Sequence, residues 1–374
     1  MILTRCKTCC TPTTRPDTAF IDGECSACVS FKSRPTIDWE ARETDLVKIL
    51  EAAPRNGSGF DCIVPSSGGK DSTYQVVKLL ELGARPLVVT ASTCYLTPIG
   101  RRNIDNLARL ATTVEITPNR SVRARLNRIG LEMVGDISWP EHLAIFSVPF
   151  RAARDFGIPL VFYGENPQRE YGGPLDTDGA QQMTRRWVSE FGGLLGMRAE
   201  DAVGLHNISG YDMLDYAMPE PEDMDKISAY FLGQFIPWDS LHNAKVAVAN
   251  GLETSLPSPA NWWPAENLDN AMTGIHDFGM FCKYGYGRLC AQISVDVRHG
   301  RISRDSALQM VEDRDGLFPA MYAGVLMDDV LDHLDVTRDW VMQQIDRHTN
   351  KALFSRKVGS RPILKEWDQC LLAG

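Results

Sequence analysis

The chain has 374 residues, 44% of them apolar and 23% charged, with a formal net charge of −9. That length accommodates two modest domains or one large one with additions, and the acidic balance argues against a broad nucleic-acid-binding surface while leaving room for a local basic pocket. No run of roughly 18 apolar residues marks a membrane span, the first residues are too short in apolar character for a signal peptide, and the expected location is the cytoplasm.

In a reducing compartment the ten cysteines are expected to serve as ligands, nucleophiles or buried small residues rather than disulfides. Five of them fall within the first 28 residues. Cys6-Lys7-Thr8-Cys9 and Cys25-Ser26-Ala27-Cys28 form two C-x-x-C pairs with 15 residues between them. Each pair can present two thiolates from one turn, and two such turns make a tetrahedral four-sulfur site. The intervening segment has little apolar content, so bound metal would supply its stability. Structural Zn²⁺ on Cys6, Cys9, Cys25 and Cys28 is the expectation; an iron–sulfur cluster is the alternative. Cys10 is left out of the ligand set.

A polar, periodic helix is expected from Glu40 to Ala53, followed by a strand from Phe60 to Val64. The strand ends in Pro65-Ser66-Ser67-Gly68-Gly69-Lys70-Asp71-Ser72, and helical periodicity begins at Asp71. Two glycines let the backbone turn and expose N–H groups, the helix start adds partial positive charge, and Lys70 adds a full one. The loop is therefore suited to phosphate or pyrophosphate. It is neither a P-loop nor a G-x-G-x-x-G fingerprint. Ser67-Gly68-Gly69-Lys70-Asp71-Ser72 resembles the SGGxDS signature of the PP-loop ATP pyrophosphatases, which cleave ATP between the α- and β-phosphates.

Further strands are expected at Pro86–Thr90, Thr113–Thr117 and Pro159–Tyr163, with helices around Gly100–Leu107 and Glu141–Phe156. The alternation argues for an α/β fold, a doubly wound parallel sheet covered on both faces, with ligands at the carboxyl ends of the strands. Thr90 ends the second strand, where adenine or substrate would lie. Cys94 follows it, either as a buried small residue or as a thiolate able to carry sulfur or attack an activated substrate. The fourth strand runs into Gly164-Glu165-Asn166 and on to Gly172-Gly173, a polar loop in which Glu165 could orient substrate or a magnesium water, or form a salt bridge or cap.

After Gly196 the βα rhythm is lost, and short helices alternate with aromatic loops such as Trp262-Trp263-Pro264. Lys283 and Arg288 straddle a glycine-containing turn that reads either as a phosphate contact or as a solvated turn. Helices follow at Arg304–Arg314 and Asp335–Lys351; Cys290 and Cys370 have no paired spacing. Three regions are expected: 1–35 as a four-cysteine zinc knuckle, 36–200 as the PP-loop core, and 201–374 as a mainly helical substrate-binding or capping region.

The two C-x-x-C pairs, Thr14-Arg15-Pro16, the Ser67–Ser72 loop, Gly135-Asp136-Ile137-Ser138-Trp139-Pro140, Gly164-Glu165-Asn166 with Glu170-Tyr171-Gly172-Gly173, Glu266-Asn267-Leu268-Asp269, His276-Asp277 and Lys283 to Arg288 together resemble the N-acetyl sugar amidotransferase family. The resemblance spans essentially the whole chain. It implies adenylation of the amide oxygen of an N-acetyl sugar, sometimes nucleotide-activated, and formation of an acetamidino group for bacterial surface glycans such as O-antigens. It also implies ammonia from a separate glutaminase and an ammonia-channelling synthase-like partner. No G-x-C-x-G glutaminase motif is present, which fits an external ammonia source. On this reading ATP contacts Ser67 to Ser72 and Thr90. Lys70, with Lys283 or Arg288, neutralises developing charge. Asp71 positions Mg²⁺, and Glu165 and Asn166 orient the reactants. The alternative is an ATP-dependent sulfurtransferase that thiolates a nucleotide or other small carbonyl substrate through Cys94.

Overall fold

The structure is a computed structural model that describes residues 3–53, 57–174 and 182–371, with the side chains of 369–371, Cys370 among them, outside that description. Its centre is a five-stranded sheet of β1 (Cys62–Pro65), β2 (Pro86–Ala91), β3 (Thr112–Ile116), β4 (Leu160–Tyr163) and β5 (Ser228–Phe231). The strand order is β3-β2-β1-β4-β5 and every pair is parallel. Ile63 of β1 sits opposite Leu87 on one side and Val161 on the other.

The apolar runs explain why the sheet is covered on both faces. Alternate residues of a strand point to opposite faces. Ile63, Leu87, Val89 and Val161 enter one core with Trp139, Leu143 and Phe150. Cys62, Val64, Val88, Leu160 and Phe162 enter another with Leu46, Leu79 and Trp238. α1 (Ser26–Ser33) belongs to the N-terminal cysteine cluster, and the covering helices include α2 (Trp39–Ala52), α3 (Lys70–Glu81), α4 (Pro98–Leu107), α5 (Arg120–Val134) and α6 (Trp139–Phe156). Their starts are set locally: Asp38 caps α2, Thr97 caps α4 and Asn119 caps α5. Gly135 and Gly157, both left-handed, end α5 and α6.

After β3 the chain crosses to the other side of β1 to form β4. The strand order therefore reverses between β1 and β4, and a crevice opens at their carboxyl ends. Strands one to four lie within two residues of their expected bounds. β5 is additional to the expected strands: four residues within a stretch of short helices leave little periodicity to read.

Beyond β4 come α7 (Pro167–Tyr171), α8 (Arg185–Phe191) and, after β5, α9 (Ser240–Ala249), α10 (Thr273–Tyr284), α11 (Arg288–Arg298) and α12 (Arg304–Arg314). α13 (Met327–His333), α14 (Arg338–His348) and α15 (Lys365–Leu371) complete the chain with two small hairpins. α14 begins later than expected because Asp335 has a positive φ and Thr337 supplies the cap. Among the described residues no helix is long and apolar enough to cross a membrane.

Candidate active site

The loop between β1 and α3 is shaped by its serines and glycines. Gly68 N donates to Ser66 Oγ at 3.0 Å, Ser66 Oγ donates to Ser72 Oγ at 2.8 Å, and Ser72 Oγ donates to the Gly69 carbonyl at 3.2 Å. Gly68 has φ +79°, and a Cβ there would lie 2.8 Å from the Ile104 backbone nitrogen in α4. Only glycine fits that approach. Gly69 is the N-cap of α3, no side chain caps the helix, and Gly69, Lys70, Asp71 and Ser72 border the crevice, so the uncapped helix start lies where an anion site would require it.

The crevice is a cleft of about 250 Å³ bounded by Ser66, Ser67, Gly69, Asp71, Tyr163 and Glu165, and across from them by Glu266, Asn267 and Asp269. Lys70 is only 3% exposed there. Burial opposes its charge, but Asp71 and Glu266 hold the ammonium well above the usual lysine range. Its Nζ pairs with Asp71 and lies 2.8 Å from Glu266 Oε2 and 5.3 Å from the Trp263 ring centroid. Asp71 Oδ1 accepts from Asn243 Nδ2 at 2.9 Å.

Four carboxylates, Asp71, Glu165, Glu266 and Asp269, thus line one small cleft. Burial and the negative charge of Asp71 push Glu165 up to about 8. Burial, with Glu141 and Glu266 nearby, pushes Asp269 up to about 6. Carboxyl groups crowded beside a phosphate-type loop would repel a polyphosphate unless a divalent cation lay between them, and oxygen-rich sites of this kind suit Mg²⁺. Gln75 also borders the cleft, and its buried Oε1 has no hydrogen-bond partner among the described residues. A ligand donor would satisfy it.

The structure brings Ser67, Gly69, Lys70, Asp71, Ser72 and Glu165 together, with Gly68 shaping their loop. Other expected site residues lie elsewhere. Thr90 points to the opposite face of β2 from Val89 and Ala91, which line the cleft. Asn166 caps α7 by accepting from Gln168 N at 3.0 Å. Cys94 is 5% exposed within an apolar cluster that includes Leu131, Ile275 and Phe278, 3.4 Å from His333 Nε2. Burial and Glu141 push its thiol up to about 12. Arg288 pairs with Asp277 through Nε and Nη2 at 3.0 and 2.9 Å, and its Nη1 donates to the Asn267 carboxamide oxygen at 2.7 Å. It therefore steadies the Glu266–Asp269 wall from behind. Lys283 Nζ donates to the Val134 carbonyl at 3.2 Å and lines a different pocket.

That second pocket, of about 430 Å³, is bounded by Arg15, Asp136, His142, Gln168, His276, Lys283 and Tyr286 among others. His142, on the first turn of α6, lies three residues from Ile145 and seven from Pro149, both on the cleft. Those spacings put all three on one helix face, so the pockets are neighbours along α6, about one turn apart. Asp136, His142 and His276 give no chemical signal of their own in the sequence; Asp136 and His276 are legible only within Gly135–Pro140 and His276-Asp277. Glu266 and Asp269 stand in the same position, because their partners are distant in sequence.

The cysteine module reaches both regions. Cys6 and Cys28 sulfurs are 3.7 Å apart and those of Cys9 and Cys25 are 3.6 Å apart. A tetrahedral site with metal–sulfur bonds of about 2.3 Å has edges of about 3.8 Å, whereas a disulfide needs about 2.05 Å. The four buried thiols could hold a metal ion, and the donor set fits Zn²⁺. Cys10 lies in a separate apolar cluster with Leu3, Phe281 and Leu289, and burial pushes its thiol up to about 12. Ser26, next to Cys25, donates to the Gly173 carbonyl at 2.8 Å and accepts from Gly173 N at 3.0 Å. Arg34 pairs with Glu170, and Arg298 Nη2 donates to the Glu170 carbonyl. The module thus braces the loop that carries Glu165, while Arg15 from the same module lines the second pocket.

Residues 260–367 match the family model of the LPS biosynthesis protein WbpG-like, C-terminal domain. That segment contains Glu266, Asn267, Asp269, His276, Lys283 and Arg288. No curated protein matches the chain. Among solved structures, NMN synthetase from Francisella tularensis is similar at a TM-score of 0.26 and 11% identity, over 59% of this chain and 99% of that one.

Proposed function

We propose that this chain is an ATP-dependent, AMP-forming amidotransferase that converts the acetamido group of an N-acetyl sugar into an acetamidino group for a bacterial surface glycan. The observation that carries the proposal is the Ser67–Ser72 loop at the switch point of a parallel sheet, opening onto a cleft ringed by Lys70 and four carboxylates. The match of residues 260–367 to an LPS biosynthesis family supports a surface-glycan acceptor.

An amide oxygen is a poor leaving group. Its attack on the α-phosphorus of ATP forms a C–O–P bond and releases pyrophosphate. Ammonia then adds to the imidate carbon, AMP departs with the former amide oxygen, and an amidine remains. The backbone N–H groups of Gly69 and the first turn of α3 would receive the departing pyrophosphate, with the buried Lys70 ammonium neutralising charge as it develops. Asp71, Glu165, Glu266 and Asp269 would hold Mg²⁺, which supplies charge neutralisation of the polyphosphate when bound. Asn243 fixes the Asp71 carboxylate, and Arg288 fixes the Asn267 wall. Zn²⁺ on the four cysteines would have a structural role, holding the Glu165 loop through Ser26. Ammonia would come from a separate glutaminase and its synthase-like partner.

The sulfur-transfer alternative needs a thiolate at the cleft. Cys94 is buried elsewhere with its thiol pushed up to about 12, so no observation favours that reading. Phosphorus NMR of reactions containing ATP, Mg²⁺, ammonium and a nucleotide-linked N-acetyl sugar tests the proposal. AMP and pyrophosphate are expected; ADP and phosphate as the sole products would reject it.

A further inference from the structure

Asp136, His142 and His276 are not used by the adenylation cleft, yet three separate elements bring them to one point. Asp136 sits in the turn between α5 and α6, His142 on the first turn of α6 and His276 on the first turn of α10. One donor atom from each lies within 4.8 Å of the others. His276 Nδ1 is 2.7 Å from Asp136 Oδ1, and His142 Nδ1 is 3.4 Å from Asp136 Oδ2. Neighbouring ligands of a first-row metal at bonds of about 2.1 Å stand about 3–3.4 Å apart, near the two distances to Asp136, and the remaining separation is at most 4.8 Å.

The surroundings are built to hold these groups still. Asp136 N donates to the Gly130 carbonyl at 3.1 Å, and Ser138 N donates to Asp136 Oδ1 at 2.9 Å. The Gly193 carbonyl is 3.2 Å from His142 Nδ1, and a Cβ at Gly193, whose φ is +77°, would press on that ring at 3.1 Å. His276 Nε2 faces Asp277 Oδ1 at 4.0 Å, and Asp277 is itself clamped by Arg288. Asp277, on the ring nitrogen of His276 that faces away from Asp136, is the kind of outer-shell partner that metal-binding histidines use, whereas the Gly193 carbonyl shares His142 Nδ1 with Asp136 and would be released when that nitrogen takes a cation. The cluster borders the 430 Å³ pocket rather than a closed core, so coordination positions beyond the three side chains would be open to an oxygen ligand. Lys283 and Arg15 line the same pocket together with Asp17 and Glu190, so charges of both signs surround the cluster.

We infer that Asp136, His142 and His276 form a binding site for a divalent transition-metal ion, separate from the four-cysteine site and about one helical turn from the adenylation cleft. Two imidazoles and one carboxylate suit Zn²⁺, Fe²⁺, Co²⁺ or Mn²⁺ better than Ca²⁺ or Mg²⁺. A cation there would replace the 2.7 Å contact between Asp136 Oδ1 and His276 Nδ1. The ligand class for its open positions is an oxygen donor entering from the pocket.

The test uses the full chain with its cysteine site first filled with Zn²⁺, then titrated with Co²⁺ by calorimetry and visible absorption. One further saturable equivalent is expected, with weak d–d bands and no thiolate-to-cobalt charge transfer. Affinity should fall at least roughly tenfold in His142→Gln and in His276→Gln. No further saturable uptake, or uptake unchanged in both variants, overturns the site. Should either variant fail to fold, imidazole NMR of the unaltered protein decides. Co²⁺ should broaden two of the seven histidines first, and those two should show the through-space contact expected of rings 5.5 Å apart. Broadening of none, or of histidines without that contact, refutes the inference.

Discussion

Replacing Gly68 by alanine probes the loop at its most constrained point. At φ +79° an L-residue loses about 1–2 kcal/mol relative to glycine. The added Cβ would also stand 2.8 Å from Ile104 N and 2.9 Å from the Asn103 carbonyl carbon, about 0.6 Å short of ordinary contact at 3.4 Å. Those atoms are main chain within α4 and cannot rotate away, so the loop itself must shift, with an overpacking cost of about 1–3 kcal/mol. Together these give a loss of about 2–5 kcal/mol in stability. The accompanying displacement of the pyrophosphate cradle should lower activity by on the order of 10²-fold. Gly69→Ala is the control: its φ is −77° and the nearest atom to a new Cβ is Ser67 Oγ at 3.5 Å. It should cost under about 1 kcal/mol, as an N-cap change without strain. Urea unfolding and a continuous pyrophosphate-release assay measure both. A Gly68→Ala protein as stable and active as the unaltered one would refute the reasoning, as would equal losses from the two substitutions.

Cobalt substituted at the cysteine site should give intense thiolate charge-transfer absorption that survives Cys10→Ser and vanishes in Cys9→Ser; the reverse pattern would reassign the ligands. Cys94→Ser should keep AMP-forming activity within a few-fold, since the thiol is buried away from the cleft; complete loss in a folded variant would return the sulfur-transfer reading. Burial, with Asp71 and Glu266 nearby, raises Glu165 to about 8 in the folded chain, against about 4.3 unfolded. The folded state therefore holds an extra proton between those values, and stability should fall as pH rises from about 5 to about 8. Urea midpoints of Glu165→Gln should lack that part of the decline; parallel pH profiles for the two proteins would show that Glu165 ionises normally.

The glycine-containing loop after the first strand and four of the five strands were legible because their signals are local. Leu87-Val88-Val89 and Leu160-Val161-Phe162 are buried runs bounded by turns, and Gly68-Gly69-Lys70 changes the backbone where the first strand stops. The cysteine pairs were legible for the same reason, and the sulfur spacing agrees with the expected tetrahedron. β5 was not legible because Ser228–Phe231 gains its identity only by pairing with β4. The far wall of the cleft was equally hidden: Glu266 meets Lys70 from a distant part of the chain, and Asn243 meets Asp71 across 172 positions. Residues next to a strand end were over-read. Thr90 and Asn166 stand close to the site in sequence, but strand alternation turns the first away and a helix cap occupies the second. Lys283 and Arg288, close in the chain, part company because the left-handed Gly285 ends one helix before Gly287 starts the next.

In the proposed reaction ATP activates the acetamido oxygen itself, and isotope transfer reads that step directly. An N-acetyl sugar carrying ¹⁸O in its acetyl carbonyl is incubated with the protein, ATP, Mg²⁺ and ammonium, and the nucleotide product is weighed by mass spectrometry. One ¹⁸O atom in AMP is expected for each acetamidino sugar formed. Amidine formed with unlabelled AMP, or with ADP as the nucleotide product, would contradict it.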